Sequence, residues 1–349
     1  MLVQNILRKP FVLSFLLLFS ATFKGEAIPC GNPSDPALLA RTTWSNLTTY
    51  QVSCNHGCKT LGTKIDVGCR IGFFGDYIFS ENAGVRDVLT NRLVNNEPKA
   101  ITISKIRTCS TSVANTGIDF GINFKDSSKN LFPLWDIEVY GKIGGLKSYI
   151  RLPMEAFRKL VDVTQDPTYG LIEMQTNYGF SWDLGIKKII WKCLSNALSV
   201  GFEYKQGSSP MNYIILHQSS EPEIYFDYNL NLDNSSCSTS KPVKTKHSIR
   251  YKEWAVHLGA SSEILPHFIP YVAVFTGYTT WKAGNPSTLF STLTERYTNL
   301  EFNMRKIKNF DRIGGAFGAS YLLGQNTLIN IEGRWGYQRA ISLNLKVQI

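Results

Sequence analysis

The chain has 349 residues, of which 43% are hydrophobic, 12% aromatic and only 18% charged, with a formal net charge of +10. No stretch approaches the roughly 18 uninterrupted apolar residues of a spanning helix, and the composition is neither that of a disordered chain nor of a collagen-like rod. The length is sufficient for one large closed sheet.

Arg8 and Lys9 precede a short apolar stretch, Phe11 to Phe19, and small residues follow at Gly25 and Ala27. A positive head, a short greasy segment and a small-x-small site predict a cleaved signal peptide over 1–27. That leaves 28–349 as a single domain. Cleavage removes Arg8, Lys9, Lys24 and Glu26 and lowers the net charge to +8. A basic balance suits nucleic acid, acidic surfaces or anionic solutes, and export argues against nucleic acid.

All seven cysteines lie beyond the predicted cleavage point. An exported protein meets oxidising conditions, so disulfides are expected, and the odd count leaves one thiol free or paired between molecules. Cys30, Cys54, Cys58, Cys109, Cys193 and Cys237 are the candidates, with Cys69 placed in a strand. Cys54, His56 and Cys58 lack a second ligand pair of zinc-like spacing, so no metal is expected.

Period-two alternation dominates the rest. Ile65, Val67, Cys69, Ile71 and Phe73 take one face, and Lys64, Asp66, Gly68, Arg70 and Gly72 the other. The pattern recurs at Ile118 to Phe124, Trp135 to Val139, Ile172 to Leu184, Leu198 to Tyr204, Leu300 to Met304 and Ile341 to Ile349. Such alternation predicts strands with two unlike faces. Gly144-Gly145, Asp166-Pro167, Gly207-Ser208-Ser209-Pro210, Gly284-Asn285-Pro286 and Gly314-Gly315 read as turns. Ser80 to Lys99 and Asn229 to His247 read as long loops, and Pro153 to Val161 as a short helix.

Many runs reach the roughly 9–11 residues of a membrane-spanning strand. The fold predicted is an all-β transmembrane antiparallel barrel of about 16 strands, with short periplasmic turns and longer outer loops. A sheet that wide encloses water, so the polar faces line a channel and the apolar faces meet lipid. Tyr77, Phe79, Phe180, Trp182, Trp191, Trp254, Trp281, Trp335 and Tyr337 are expected in interfacial girdles.

Certain strings are specific. Cys30-Gly31-Asn32-Pro33-Ser34-Asp35-Pro36 and Gly72-Phe73-Phe74-Gly75-Asp76-Tyr77-Ile78-Phe79 resemble the start of the chlamydial major-outer-membrane-protein-type porins. Gly144-Gly145-Leu146-Lys147, Pro222-Glu223-Ile224-Tyr225-Phe226-Asp227, Tyr251-Lys252-Glu253-Trp254 and Glu332-Gly333-Arg334-Trp335-Gly336-Tyr337 are similar to a second branch of those porins. The resemblance implies a general porin of the outer membrane, cross-linked through cysteines to envelope partners. It further implies a homo-oligomer, such as a trimer, and an association with small dicarboxylates.

A porin needs a lumen and a charge field rather than catalytic residues or a cofactor. The alternation assigns Lys64, Asp66, Arg70, Asp136, Glu138, Lys142, Arg151, Glu173, Glu203, Arg305, Glu332, Arg334 and Lys346 to the channel side. Lys142, Lys147, Arg151 and Arg158, with Lys159, are the constriction candidates, and Arg305, Arg334 and Arg339 are expected opposite them. With the net positive charge, they favour small anions such as dicarboxylates. No G-x-S-x-G or H-E-x-x-H motif is present, and His257, near Ser261 and Glu263, reads as a wall residue. The chain is therefore expected not to be an enzyme. An alternative role is a disulfide-cross-linked structural or adhesin protein. The partners expected are outer-membrane lipid, lipopolysaccharide and small anionic solutes.

Overall fold

In the computed structural model, the described residues are 48–52, 63–94, 97–126, 135–153, 169–193, 195–218, 224–227, 248–283, 301–303, 306–309, 312–323, 327–336 and 338–348. The strands in chain order are β1 (Thr48–Val52), β2 (Thr63–Val94), β3 (Glu97–Asp126), β4 (Ile137–Pro153), β5 (Tyr169–Thr176), β6 (Gly179–Cys193), β7 (Asn196–Gln218) and β8 (Ile224–Asp227). They continue as β9 (Ser248–Ser262), β10 (Phe268–Ala283), β11 (Glu301–Asn303), β12 (Lys306–Asn309), β13 (Ile313–Leu323), β14 (Thr327–Gly336) and β15 (Gln338–Gln348).

Each strand pairs antiparallel with its neighbours, and β15 returns to β2 through Gln348↔Arg70 to Gln338↔Glu81. β2 also pairs β3 from Ile65↔Asp126 to Val94↔Glu97, so the sheet closes on itself. β5 and β6 act as one stave interrupted at Asn177 and Tyr178, since β4 pairs both. β11 and β12 lie along the outer part of β2, and β12 also pairs β10. β1 and β8 are short additions beside β2 and β7.

The ring formed by the described residues thus has 10 staves, not the expected 16 or so. Two physical features account for the difference. β2 and β3 run for 32 and 30 residues, far beyond the roughly 9–11 that cross lipid, so the stretch read as a loop over 80–99 is one long hairpin. Several glycines read as turns sit inside strands. Gly144 of β4 lies directly opposite Gly117 of β3, and a Cβ on either would strike the other strand's backbone. Glycine here permits close backbone approach. Gly207 to Pro210 likewise lies within β7, and Gly314-Gly315 within β13.

True reversals lie elsewhere. β6 turns into β7 through residues 194–195, closed by the Cys193↔Asn196 pair. β14 reverses into β15 at Gly336, whose φ of 113° favours glycine. The β6–β7, β9–β10 and β13–β14 connections share one end of the barrel, and the three longest, from β4 to β5, β7 to β9 and β10 to β13, share the other, the pattern of periplasmic turns and outer loops.

The two faces are opposite in character. Phe73, Phe180, Leu184, Phe317, Ile331 and Leu343 project outward and are exposed, Phe73 at 65%. Tyr77 and Phe79 meet edge to face at 4.8 Å on the same face, and Trp254 and Trp335 are also outward. Trp281 departs from the expected girdle. Its position on β10 has the inward phase of Phe275 and Thr279, and it is 1% exposed, packed 5.5 Å from the Tyr251 ring. No helix among the described residues is long and apolar enough to cross a membrane; the strands do the crossing.

Candidate permeation pathway

The inward phase of most staves delivers charged groups to the lumen. Arg70 (β2), Asp119 (β3), Glu138 and Lys142 (β4), Asp183 and Lys187 (β6), Glu203 and Lys205 (β7), Glu253 (β9), Glu332 and Arg334 (β14) and Lys346 (β15) are each no more than 3% exposed. Charges so buried persist only when paired, and here they are linked from stave to stave. Arg70 contacts Glu138 and bridges Asp119 at 2.8 Å, and Lys346 approaches the same Asp119 at 3.9 Å. Lys142 reaches over β6 to Glu203 at 3.2 Å and approaches Asp183 at 3.7 Å. Tyr140 donates its hydroxyl to Glu203 at 2.6 Å. Arg334 reaches over β15 to Asp76, and Tyr271 donates to Glu332 at 2.9 Å.

Three cations gather on one ring. Arg70, Lys142 and Lys187 lie 5.9, 5.4 and 4.9 Å from the centroid of Tyr140. The negative ring face offsets part of their mutual repulsion.

The lumen is not charged all round. β10 and β13 contribute Ala273, Phe275 and Ala316, which cluster with Ala255. Towards the outer end the lining turns apolar at Ile78, Val113, Leu146, Ile150, Tyr251 and Trp281. Towards the periplasmic end it does so at Ile189, Ala197, Leu322 and Leu328. Among the described residues the lining is a packed, paired polar interior rather than an open charged surface.

The sequence-selected constriction set divides by phase. Lys142 and Arg334 point inward. Lys147 and Arg151 share the odd phase of Val139 and Ile143 and face outward, the Arg151 side chain being 54% exposed. Two residues separated by an odd number of positions cannot share a strand face, which corrects their grouping with Lys142. Arg339 is also exposed, on the outer-facing side of β15. Arg158, Lys159 and Arg305, residues 154–161 of the expected helix and the disulfide candidates Cys30, Cys54, Cys58 and Cys237 lie outside the described residues, while Pro153, the expected start of that helix, ends β4. The backbone of Cys109 is in β3, opposite Ala83. Cys193 is half-exposed beside the 194–195 turn with an unpaired thiol, and Cys69 is an exposed free thiol on β2. His257 is buried on the inward face of β9, opposite Gly201.

Lys187, Lys205 and Glu253 were missed as lumen residues. Their signal was present: Lys187 continues the phase of Ser181 and Asp183, and Lys205 that of Glu203. Outside the barrel, Arg151 donates to Glu173 at 2.8 Å and to the Tyr149 hydroxyl at 3.0 Å, and His217 lies 3.4 Å from Glu173. Glu173 therefore belongs to an outer-wall cluster.

Comparison with known proteins identifies the architecture. The family described as "Chlamydia major outer membrane protein" matches residues 5–287. Outer membrane protein B of Chlamydia pneumoniae is 34% identical, covering 96% of both chains, and that of Chlamydia muridarum is 34% identical, covering 97% of both. The major outer membrane porin of Chlamydia psittaci is 23% identical, covering 95% of this chain and 98% of its own. Among solved structures, outer membrane protein OprG from Pseudomonas aeruginosa has 9% identity and a TM-score of 0.29, covering 81% of this chain and 95% of its own, a likeness too slight to bear on function. With the apolar exterior and closed antiparallel ring, these matches place the protein in the outer membrane as a multi-pass barrel. The chain belongs to the chlamydial major outer membrane protein family.

Proposed function

We propose that this barrel is a porin, a passive route for small hydrophilic solutes and ions across the outer membrane. The observation that carries the reading is the inverted polarity of the wall: paired charges line the inside while Phe73, Leu184 and Leu343 face out. Relatives named as outer membrane porins support it. Because the lining groups are almost fully covered, passage runs along the charged arc as side chains exchange partners. The conductance expected is well below that of 16–18-stranded porins with open aqueous channels.

A lean towards small anions such as dicarboxylates rests on Arg70, Lys142 and Lys187 around Tyr140, where fixed cations offset a carboxylate's lost hydration. The lean is weak, because Asp76, Asp119, Glu138, Asp183, Glu203, Glu253 and Glu332 answer those cations within the same lumen.

The test is planar-bilayer recording of the refolded mature chain under a salt gradient, followed by liposome swelling with dicarboxylates and with neutral sugars of equal size. Small, steady channels with a slight anion preference are expected. No channels from folded, heat-modifiable protein would contradict the porin reading. Cation selectivity would contradict only the anion lean.

A further inference from the structure

The outer wall of β7, β9 and β10 carries two unlike layers in adjacent register. The lower layer is aromatic: Tyr204 pairs Trp254, Trp254 pairs Tyr278, and Trp182 stacks at a tilt 5.6 Å from Tyr204. All of these positions have the outward phase of Phe202, Val256 and Leu258, so the row continues the lipid-facing surface upward to its boundary.

The layers above it are cationic. Two residues further out, Gln206 pairs Lys252, which pairs Thr280; two further still, Ser208 pairs Arg250, which pairs Lys282. Lys252, Arg250 and Lys282 are all exposed on the outer face. Arg312 adds a fourth exposed cation, its guanidinium 5.8 Å from the Tyr278 ring. Like charges directly opposite on neighbouring strands destabilise a sheet, yet Arg250 and Lys282 stand in that relation. No ion pair joins Arg250, Lys252 or Lys282 to a carboxylate among the described residues. Glu253, next to Lys252 in sequence, and Glu203 on the neighbouring β7 point into the lumen on the opposite face.

We propose that this wall binds the phosphate groups of an outer-leaflet glycolipid, its acyl chains lying along the aromatic row and the apolar band beneath. At roughly 3.3 Å per residue, the two cationic levels stand about 7 and 13 Å above the rings, where headgroup phosphates lie. Arg250 offers a planar fork suited to a phosphate's oxygens, and Lys252 and Lys282 offer point charges. Ser208 and Gln206 border them with hydrogen-bonding groups. The continuity of the cations with a lipid-facing aromatic row favours a phosphorylated lipid over free phosphate. The proposal rests on the outer-membrane placement and is independent of conduction.

The test titrates the full mature chain, refolded in neutral detergent, with bisphosphorylated lipid A, with the same lipid stripped of phosphate, and with inorganic phosphate, following tryptophan fluorescence. Saturable binding of bisphosphorylated lipid A is expected, weakened about tenfold or more by removal of its phosphates or by Arg250→Gln with Lys282→Gln. Arg339→Gln, an outward cation on β15, should leave affinity unchanged. Should the double variant not fold by heat-modifiable migration, Arg250→Gln alone serves, with a several-fold loss expected. Equal affinity for the stripped lipid, unchanged affinity in the folded variant, or inorganic phosphate matching lipid A would each overturn the proposal.

Discussion

Arg334 on β14 reaches past β15 to the carboxylate of Asp76 on β2, so an ion pair between residues 258 apart in sequence spans the seam where the last stave meets the first. Both side chains are nearly fully buried. The pair therefore fastens the joint on which closure of the ring depends, and closure leaves no unpaired edge in lipid.

Removing one partner from that joint leaves an uncompensated buried charge, which costs roughly 3–5 kcal/mol. Arg334→Met should therefore lower the temperature at which the barrel loses its heat-modifiable migration, and Asp76→Asn should do so by a similar amount. The double replacement should recover part of the loss. A double variant no better than the singles would show that the two groups do not act as a pair.

Lys142 is held by Glu203 and Asp183 and sits over Tyr140. Lys142→Gln removes a cation from the charged arc and leaves those carboxylates in place. Reversal potentials under a salt gradient should move towards cation selectivity. Unchanged selectivity would remove Lys142 from the conducting path.

Lys147→Ser and Arg151→Ser make the complementary test, since both side chains face outward. Conductance and reversal potential should stay as in the parent. A change as large as that of Lys142→Gln would mean that the phase of β4 is assigned to the wrong face.

The outer-wall cluster predicts an acid response. Partial burial pushes the Glu173 carboxyl up, but hydrogen bonds from Tyr149 and His217 and the charge of Arg151 prevail and hold it below its ordinary value of 4.5. A lowered carboxyl contributes stability above its ordinary value and loses that contribution as pH falls through the folded value. Acidification through that window should increase hydrogen exchange at β5, and Glu173→Gln should flatten the response. An unaltered pH profile in Glu173→Gln would assign the effect elsewhere.

Much of this architecture is legible in the sequence, because alternation is a direct print of a wall with lipid on one side. From Ile341 to Val347 β15 reads correctly residue by residue, and Arg70, Glu138, Glu203, Glu332, Arg334 and Lys346 follow from phase alone. Phase also corrects Lys147 and Arg151, whose grouping with Lys142 rests on closeness along the chain. Trp281 was read as a girdle residue because amphipathic rings favour interfaces, but the parity of β10 turns it inward. The strand number was the least legible feature. Gly117 and Gly144 carry the composition of a turn while serving close approach inside a sheet, and only the long-range pairing of β2 with β15 reveals the circumference.

The central claim is that apolar side chains contact lipid while polar ones fill the interior. It is tested most directly on β15, with spin labels placed singly from position 341 to 347 in a cysteine-free background of the refolded protein in bilayers. Labels replacing Ile341, Leu343, Leu345 and Val347 should be accessible to dissolved oxygen, and those replacing Ser342, Asn344 and Lys346 shielded from it, with a strict period of two. The opposite phase, or uniform accessibility to a water-soluble relaxation agent along the strand, would contradict the account.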